Sequence, residues 1–163
     1  MNTNIIKLKN TDWAYFAKWW RDDNLINMTS GNHDRVEDLE IQMIVSQMAC
    51  SSVDLHWLIM FSDRVVGHIN LNKIDEKVAE LQIVIGEKAY WGKGIGYDAI
   101  KLVLIEAKKH KFSNIIIEVR PENIRAIKLY EKSGFKSVRL KRYPDNHNQP
   151  EVLLMELIIN QKH

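Results

Sequence analysis

The stretch Leu81-Gln82-Ile83-Val84-Ile85-Gly86-Glu87-Lys88-Ala89-Tyr90-Trp91-Gly92-Lys93-Gly94-Ile95-Gly96 decides how the chain reads. Its first part is apolar and β-branched, which suits a buried strand. The rest is dense in glycine, and from Gly96 onward the apolar residues Ile100, Val103, Leu104 and Ala107 recur at helical spacing. A strand therefore runs into a tight turn that opens an amphipathic helix. Backbone N–H groups converge in such a turn, and the helix N-terminus adds partial positive charge. Together they make a seat for a phosphate or diphosphate. Side chains at Gly92, Gly94 and Gly96 would hold an anion away from that backbone. A bare strand–helix corner with no ligand is the plainer reading of the same residues.

Working outward, Ile5–Leu8 predicts a first strand, and Thr11 and Asp12 cap a helix from Trp13 to about Arg21. Trp13, Phe16 and Trp20 share one face of it. Residues 22–34 are polar and read as a loop. A second helix follows from Val36 to Ala49, with Leu39, Met43 and Ile44 as its apolar stripe. Strands are predicted at Leu55–Phe61, Val65–Asn72 and Val78–Ile85, the first two as a hairpin across Ser62-Asp63-Arg64. After the glycine loop and its helix, Asn114–Val119 is a buried strand. Pro121 opens a helix ending at Ser133-Gly134, and Phe135–Tyr143 and Glu151–Ile159 are the last strands. This order predicts an α+β fold, a mixed and mostly antiparallel sheet of six to seven strands flanked by about four helices.

The 163 residues suit a single domain over 1–163, and 23 Lys+Arg against 21 Asp+Glu leave a net charge of only +2. The basic residues are dispersed, so no nucleic-acid partner is expected. No apolar run nears the ~20 residues of a membrane span, and the N-terminus is a poor signal peptide, so no membrane partner is expected either. One cysteine, Cys50, excludes an internal disulfide framework and reads as a small buried hydrophobe. A reducing, cytoplasmic setting is the simplest expectation. The histidines at 33, 56, 68, 110, 147 and 163 show no ligand spacing, so no metal is expected, and His56 and His68 read as strand residues.

Two ligand classes use a glycine seat of this kind. A dinucleotide needs Gly-x-Gly-x-x-Gly and an acidic residue ~20 positions on. Glu118 lies at about that distance, but Tyr97 occupies the third glycine position and too little βα alternation follows for a doubly wound sheet. The other class is an acyl-CoA. Trp91-Gly92-Lys93-Gly94-Ile95-Gly96 resembles the pyrophosphate loop of the GNAT (GCN5-related) N-acetyltransferases, Gln/Arg-x-x-Gly-x-Gly/Ala. The run Asn123-Ile124-Arg125-Ala126-Ile127-Lys128-Leu129-Tyr130-Glu131-Lys132-Ser133-Gly134-Phe135 is similar to that family's second motif, N-x-x-A-x-x-x-Y-x-x-x-G-F. Trp91 departs from the usual Gln or Arg. In this it is similar to the ribosomal-protein N-acetyltransferase-like branch.

The resemblance implies direct acetyl transfer from acetyl-CoA to a primary amine of a small molecule or peptide N-terminus, in a ternary complex with no covalent intermediate. It implies that Ile83, Val84 and Ile85 pair with pantetheine, and that residues 91–96 hold the diphosphate. Asn123, Ala126 and Tyr130 then also meet the cofactor. Tyr130 is the implied acid for the departing thiolate, and Glu80 the candidate base, two residues from Gln82 on one strand face. Glu80 also reads as an ordinary strand carboxylate, and Tyr130 as a core tyrosine above Phe135. Lys93, Arg125 and Lys128 suit phosphate or simply solvent. Acceptor choice in the family falls on residues 19–38 and 143–150, where Trp20, Asp22 and Asp23, with Gln82, are the substrate-binding candidates. Acidic groups beside aromatics suit a cationic acceptor, or a solvated helix face. A homodimer is implied by analogy, and a catalytically idle acyl-CoA sensor of the same fold is the alternative.

Overall fold

The computed structural model describes residues 2–29, 32–147 and 151–159. Pro150, His163 and parts of both predicted acceptor segments (30–31 and 148–150) lie outside the described residues. Strand β1 is Thr3–Lys7, and a 3-10 turn at Asn10–Asp12 leads into α1, Trp13–Trp19. Helix α2 is Asp23–Met28 and α3 is Asp38–Cys50. Strands β2, β3 and β4 are Leu55–Phe61, Arg64–Lys73 and Val78–Ile85. Then come α4 (Ile95–Lys109), β5 (Asn114–Val119), α5 (Ile124–Lys132), β6 (Lys136–Arg142) and β7 (Glu151–Ile158).

The strands form one seven-stranded sheet in the order β1-β2-β3-β4-β5-β7-β6. Only β4 and β5 run parallel; the other neighbours are antiparallel. A parallel pair needs a crossover connection, and α4 supplies it. The alternation of side chains then gives each sheet face its own cover. Ile69, Leu71, Ala79, Leu81, Ile115 and Ile117 are buried on one face, together with Ile95, Ala99, Ile100 and Val103 of α4 and Tyr130 of α5. On the opposite face Leu58 and Val84 meet Phe16 and Trp19 of α1 and Ile41 and Val45 of α3. Each fully buried aliphatic side chain contributes about 1.5–3 kcal/mol.

Four sequence expectations need correction. Residues 22–34 are not all loop: Asp22 accepts the amides of Asn24 (3.0 Å) and Leu25 (3.3 Å), which starts α2. Leu25 and Ile26, lost among polar neighbours, are its buried face. In α3 the buried residues are Ile41 and Val45, while Leu39 and Met43 are 70% and 58% exposed. Two apolar stripes compete on that helix, and the sheet takes the β-branched one. Helix α5 opens at Asn123, whose Oδ1 accepts the Ala126 amide at 3.2 Å, rather than at Pro121. Finally, Cys50 ends α3 on the solvent side and is an exposed free thiol.

Candidate functional site

Strands β4 and β5 pair over three positions only, Val78 with Asn114, Ala79 with Ile115 and Glu80 with Ile116. Beyond them β4 runs on from Leu81 to Ile85 and β5 from Ile117 to Val119 without bonding each other, so the sheet opens as a V. The β4 residues Ile83, Val84 and Ile85 lie along one arm. Unpaired strand edges carry free N–H and C=O groups that an extended ligand can bond.

The glycine loop sits at the open end. Its first anchor is Trp91, whose Nε1 donates to the Ile85 carbonyl at 2.7 Å. Gly92 and Gly94 have φ of 76° and 80°, left-handed values that disfavour any side chain, and a Cβ at either would meet nothing within 4 Å. Space therefore opens above these two residues, and Gly94 is also the N-cap of α4. The amides of the first α4 turn face out beside it, among them those of Ile95 and Gly96. This is a cradle that a side chain would fill and a diphosphate fits. Gly96 has a second duty, because a Cβ there would lie 3.0 Å from Leu129 of α5. Cations sit on aromatic rings at the rim, Lys93 5.0 Å from the Tyr90 centroid and Arg125 4.9 Å from that of Trp91.

Tyr130 lies on the α4/α5 side of the V. It packs edge-on to Phe135 at 6.1 Å, and burial pushes its hydroxyl up to about 12. Asn123 and Ala126 stand two turns and one turn before it, Asn123 with its Oδ1 already used as the helix cap. Glu80 and Gln82 lie on the other face, in register with Asn72 and Asn70 of β3. Burial raises the Glu80 carboxyl, and the negative charge of Glu118 raises it further, against a hydrogen bond from Gln82 and the more distant Lys141.

Sequence reasoning weighed Glu118 only as the acidic residue of a dinucleotide site and missed its place beside Glu80. Glu118 lies two positions beyond Ile116, the partner of Glu80, and so shares the Glu80 face. The Tyr143 hydroxyl reaches both of its oxygens at 2.8 Å, and Lys141 Nζ donates to it at 2.7 Å. Only the parallel register could have revealed this, and register is not written in local sequence. Nearby, His56 Nδ1 and His68 Nε2 are 3.2 Å apart, with the rings stacked. Burial chiefly, and then His56, lowers the pKa of His68 to about 3, so it stays neutral. Among the described residues no group of three or more His, Cys, Asp or Glu could hold a metal ion.

Three of the four predicted substrate residues lie around α2, whereas Gln82 stands apart on β4. Trp20 is half-buried with its ring 5.4 Å from Phe16. Asp22 caps α2 and pairs with Lys88 at 2.7 Å, a contact that holds its carboxyl below the usual range. Asp23 is exposed, with His33 Nδ1 at 3.2 Å. At the far end of the helix Arg120 Nε donates to the Thr29 carbonyl at 3.0 Å. Lys88 follows β4 and Arg120 follows β5, so α2 ties together the turns beyond the two arms of the V.

The acetyltransferase (GNAT) domain family matches residues 3–136. An uncharacterized protein of Methanocaldococcus jannaschii is 34% identical over 90 residues, 53% of this chain and 19% of that protein. The Escherichia coli K12 ribosomal protein bS18-alanine N-acetyltransferase is 30% identical over 73 residues, 44% of this chain and 49% of the enzyme. The chain thus spans about a fifth and about half of these two curated relatives. The crystal structure of spermidine N-acetyltransferase from Vibrio cholerae, in complex with CoA and spermine, superimposes with a TM-score of 0.83 at 18% identity. That likeness covers 96% of this chain and 95% of the other. No helix among the described residues is long and apolar enough to cross a membrane.

Proposed function

The chain belongs to the GNAT acetyltransferase family, and from that membership we propose that it moves an acetyl group from acetyl-CoA directly to a primary amine. The observation that carries the proposal is the V between β4 and β5, with the glycine seat at its mouth and different chemistry on its two sides. Acetyl-CoA supplies an acetyl thioester, whose C–S bond breaks as the new C–N bond forms. The chain binds the diphosphate end at residues 91–96 and lines the path of the thioester arm with Ile83, Val84 and Ile85.

The proton work falls to the two faces. An amine with a pKa near ~10 is an ammonium at neutral pH and must lose a proton before attack. Glu80, raised by burial and by Glu118, is poised to take it, with Gln82 holding the carboxylate in place. Tyr130 sits across the V and stays protonated throughout the neutral range, as an acid for the departing thiolate requires. Acceptor and donor thus approach through opposite faces of one sheet, and no covalent enzyme intermediate is needed.

Trp20, Asp22, Asp23 and α2 form the acceptor wall in this reading, and the carboxylates Glu80 and Glu118 favour a cationic amine. The bacterial relative acts on an alanine of a ribosomal protein, and the Vibrio enzyme is a spermidine acetyltransferase that binds spermine, so both a peptide N-terminus and a small polyamine belong in the acceptor set. The exposed, unpaired thiol of Cys50 suits a reducing, cytoplasmic setting. The test is thiol release from acetyl-CoA across peptides, polyamines, amino sugars and aminoglycosides. Release that depends on one acceptor class supports transfer. Cofactor binding without release from any acceptor favours a sensor instead.

A further inference from the structure

We propose that Lys141 makes the acceptor side selective for amines with a single positive charge, by neutralising Glu118 and leaving Glu80 to receive one ammonium. The inference rests on the transferase reading and narrows its acceptor class. Monoamines fit, a peptide N-terminus among them, and polyamines do not.

Lys141 fills a place suited to an ammonium group, and its own ammonium is the same chemical group that a primary amine acceptor presents. Its Nζ donates to Glu118 at 2.7 Å and stands 4.6 Å from the Tyr143 ring centroid, so a carboxylate and an aromatic face bound it. The carboxylate is itself fixed, because the Tyr143 hydroxyl lies 2.8 Å from both of its oxygens. Among the ion pairs of the described residues, Glu118 is the least exposed carboxylate, at 17% against 25% for the next. A pair so shielded is screened less by salt than one in open solvent.

The charges around the V leave one vacancy for a cation. Asp22 pairs with Lys88 at 2.7 Å, and Asp23 has His33 beside it at 3.2 Å. Glu156 of β7 accepts from Asn114 and stands in register with Lys136 of β6, while Asp54 accepts the Lys73 amide at 2.9 Å. Glu80 forms no ion pair among the described residues. Gln82 donates to it, and Lys141 acts on it only from a distance. Its neighbours on β3, Asn72 and Asn70, are neutral amides bonded to each other at 2.8 Å. One ammonium at Glu80 therefore completes the balance. A second ammonium on the same acceptor, reaching toward Glu118, meets Lys141 first, and like charges repel.

Acetyl-transfer kinetics with n-butylamine and with putrescine, which share a carbon chain and differ by one ammonium, test this. The unaltered chain is expected to give putrescine no advantage in kcat/KM. Lys141→Met keeps the stem and removes the charge. It is expected to raise kcat/KM for putrescine about tenfold, the value of one charge-assisted contact, with the gain shrinking as salt rises. That gain should come through KM, with kcat held and butylamine little changed. Lys141→Arg keeps the charge and is expected to behave as the unaltered chain. A putrescine preference in the unaltered chain, or a ratio that Lys141→Met leaves unmoved, would overturn the selectivity while leaving the transferase intact. No thermal shift with acetyl-CoA and no thiol release with any amine would remove the transferase reading, and the selectivity with it.

Discussion

Trp91 Nε1 donates to the carbonyl of Ile85 at 2.7 Å, joining the glycine loop to the last residue of the splayed strand. Trp91 thus sets the loop's geometry, and its ring holds Arg125. Trp91→Phe keeps a ring and removes the donor. It is expected to lower stability by about 1 kcal/mol and weaken acetyl-CoA binding by about fivefold. Thermal melts and calorimetry check this; unchanged values would make the bond incidental.

The two carboxylates predict a pH dependence with a definite sign. Glu80, the proposed base, works only when ionised, so activity is expected to rise with pH through its raised pKa. Glu80→Gln is expected to remove that limb and to cost most at low pH, where free amine is rarest. Glu118→Gln removes the neighbouring negative charge, so the limb should move to lower pH with kcat at its plateau largely kept. Collapse of the plateau in Glu118→Gln would instead assign proton removal to Glu118.

Tyr130→Phe keeps the packing on Phe135 and removes the proposed acid. A hydroxyl pushed up to about 12 remains protonated across the working range, so no alkaline limb from Tyr130 is expected below that value. The substitution should lower kcat about a hundredfold, as loss of a general acid does, with acetyl-CoA affinity unchanged. Parallel kinetics and titration separate the two effects. Intact kcat would leave Tyr130 as a core residue only.

His68 ties stability to pH. Its folded pKa of about 3 lies below the ordinary 6.5, so the unfolded chain takes up a proton that the folded chain refuses. Stability therefore falls as pH drops below about 6.5, by about 1.4 kcal/mol per pH unit for such a group, until its folded pKa is reached. Urea titrations between pH 7 and 5 should show this slope, and His68→Leu should flatten it. An equal slope in both proteins would exclude His68 as its source.

Long periodic elements and the two motifs were legible before the fold was known. The strand order was not, because the β4–β5 register that puts Glu118 beside Glu80 depends on contacts made across α4. Helix α2 hid because its six residues, Asp23–Met28, are too few to show a period, and the N-cap at Asp22 passed for loop polarity. In α3 the spacing of Leu39 and Met43 was as regular as that of Ile41 and Val45, and packing against α1 and β2 chose between them. Residue types thus picked out the glycine turn, whereas α2 and the place of Glu118 beside Glu80 needed tertiary placement.

The most direct test of the account is acceptor-dependent release of CoA thiol from acetyl-CoA, followed together with the shift in melting temperature that acetyl-CoA causes. The account predicts a thermal shift with acetyl-CoA alone and thiol release once a cationic primary amine is added. No thermal shift and no release with any amine would contradict it.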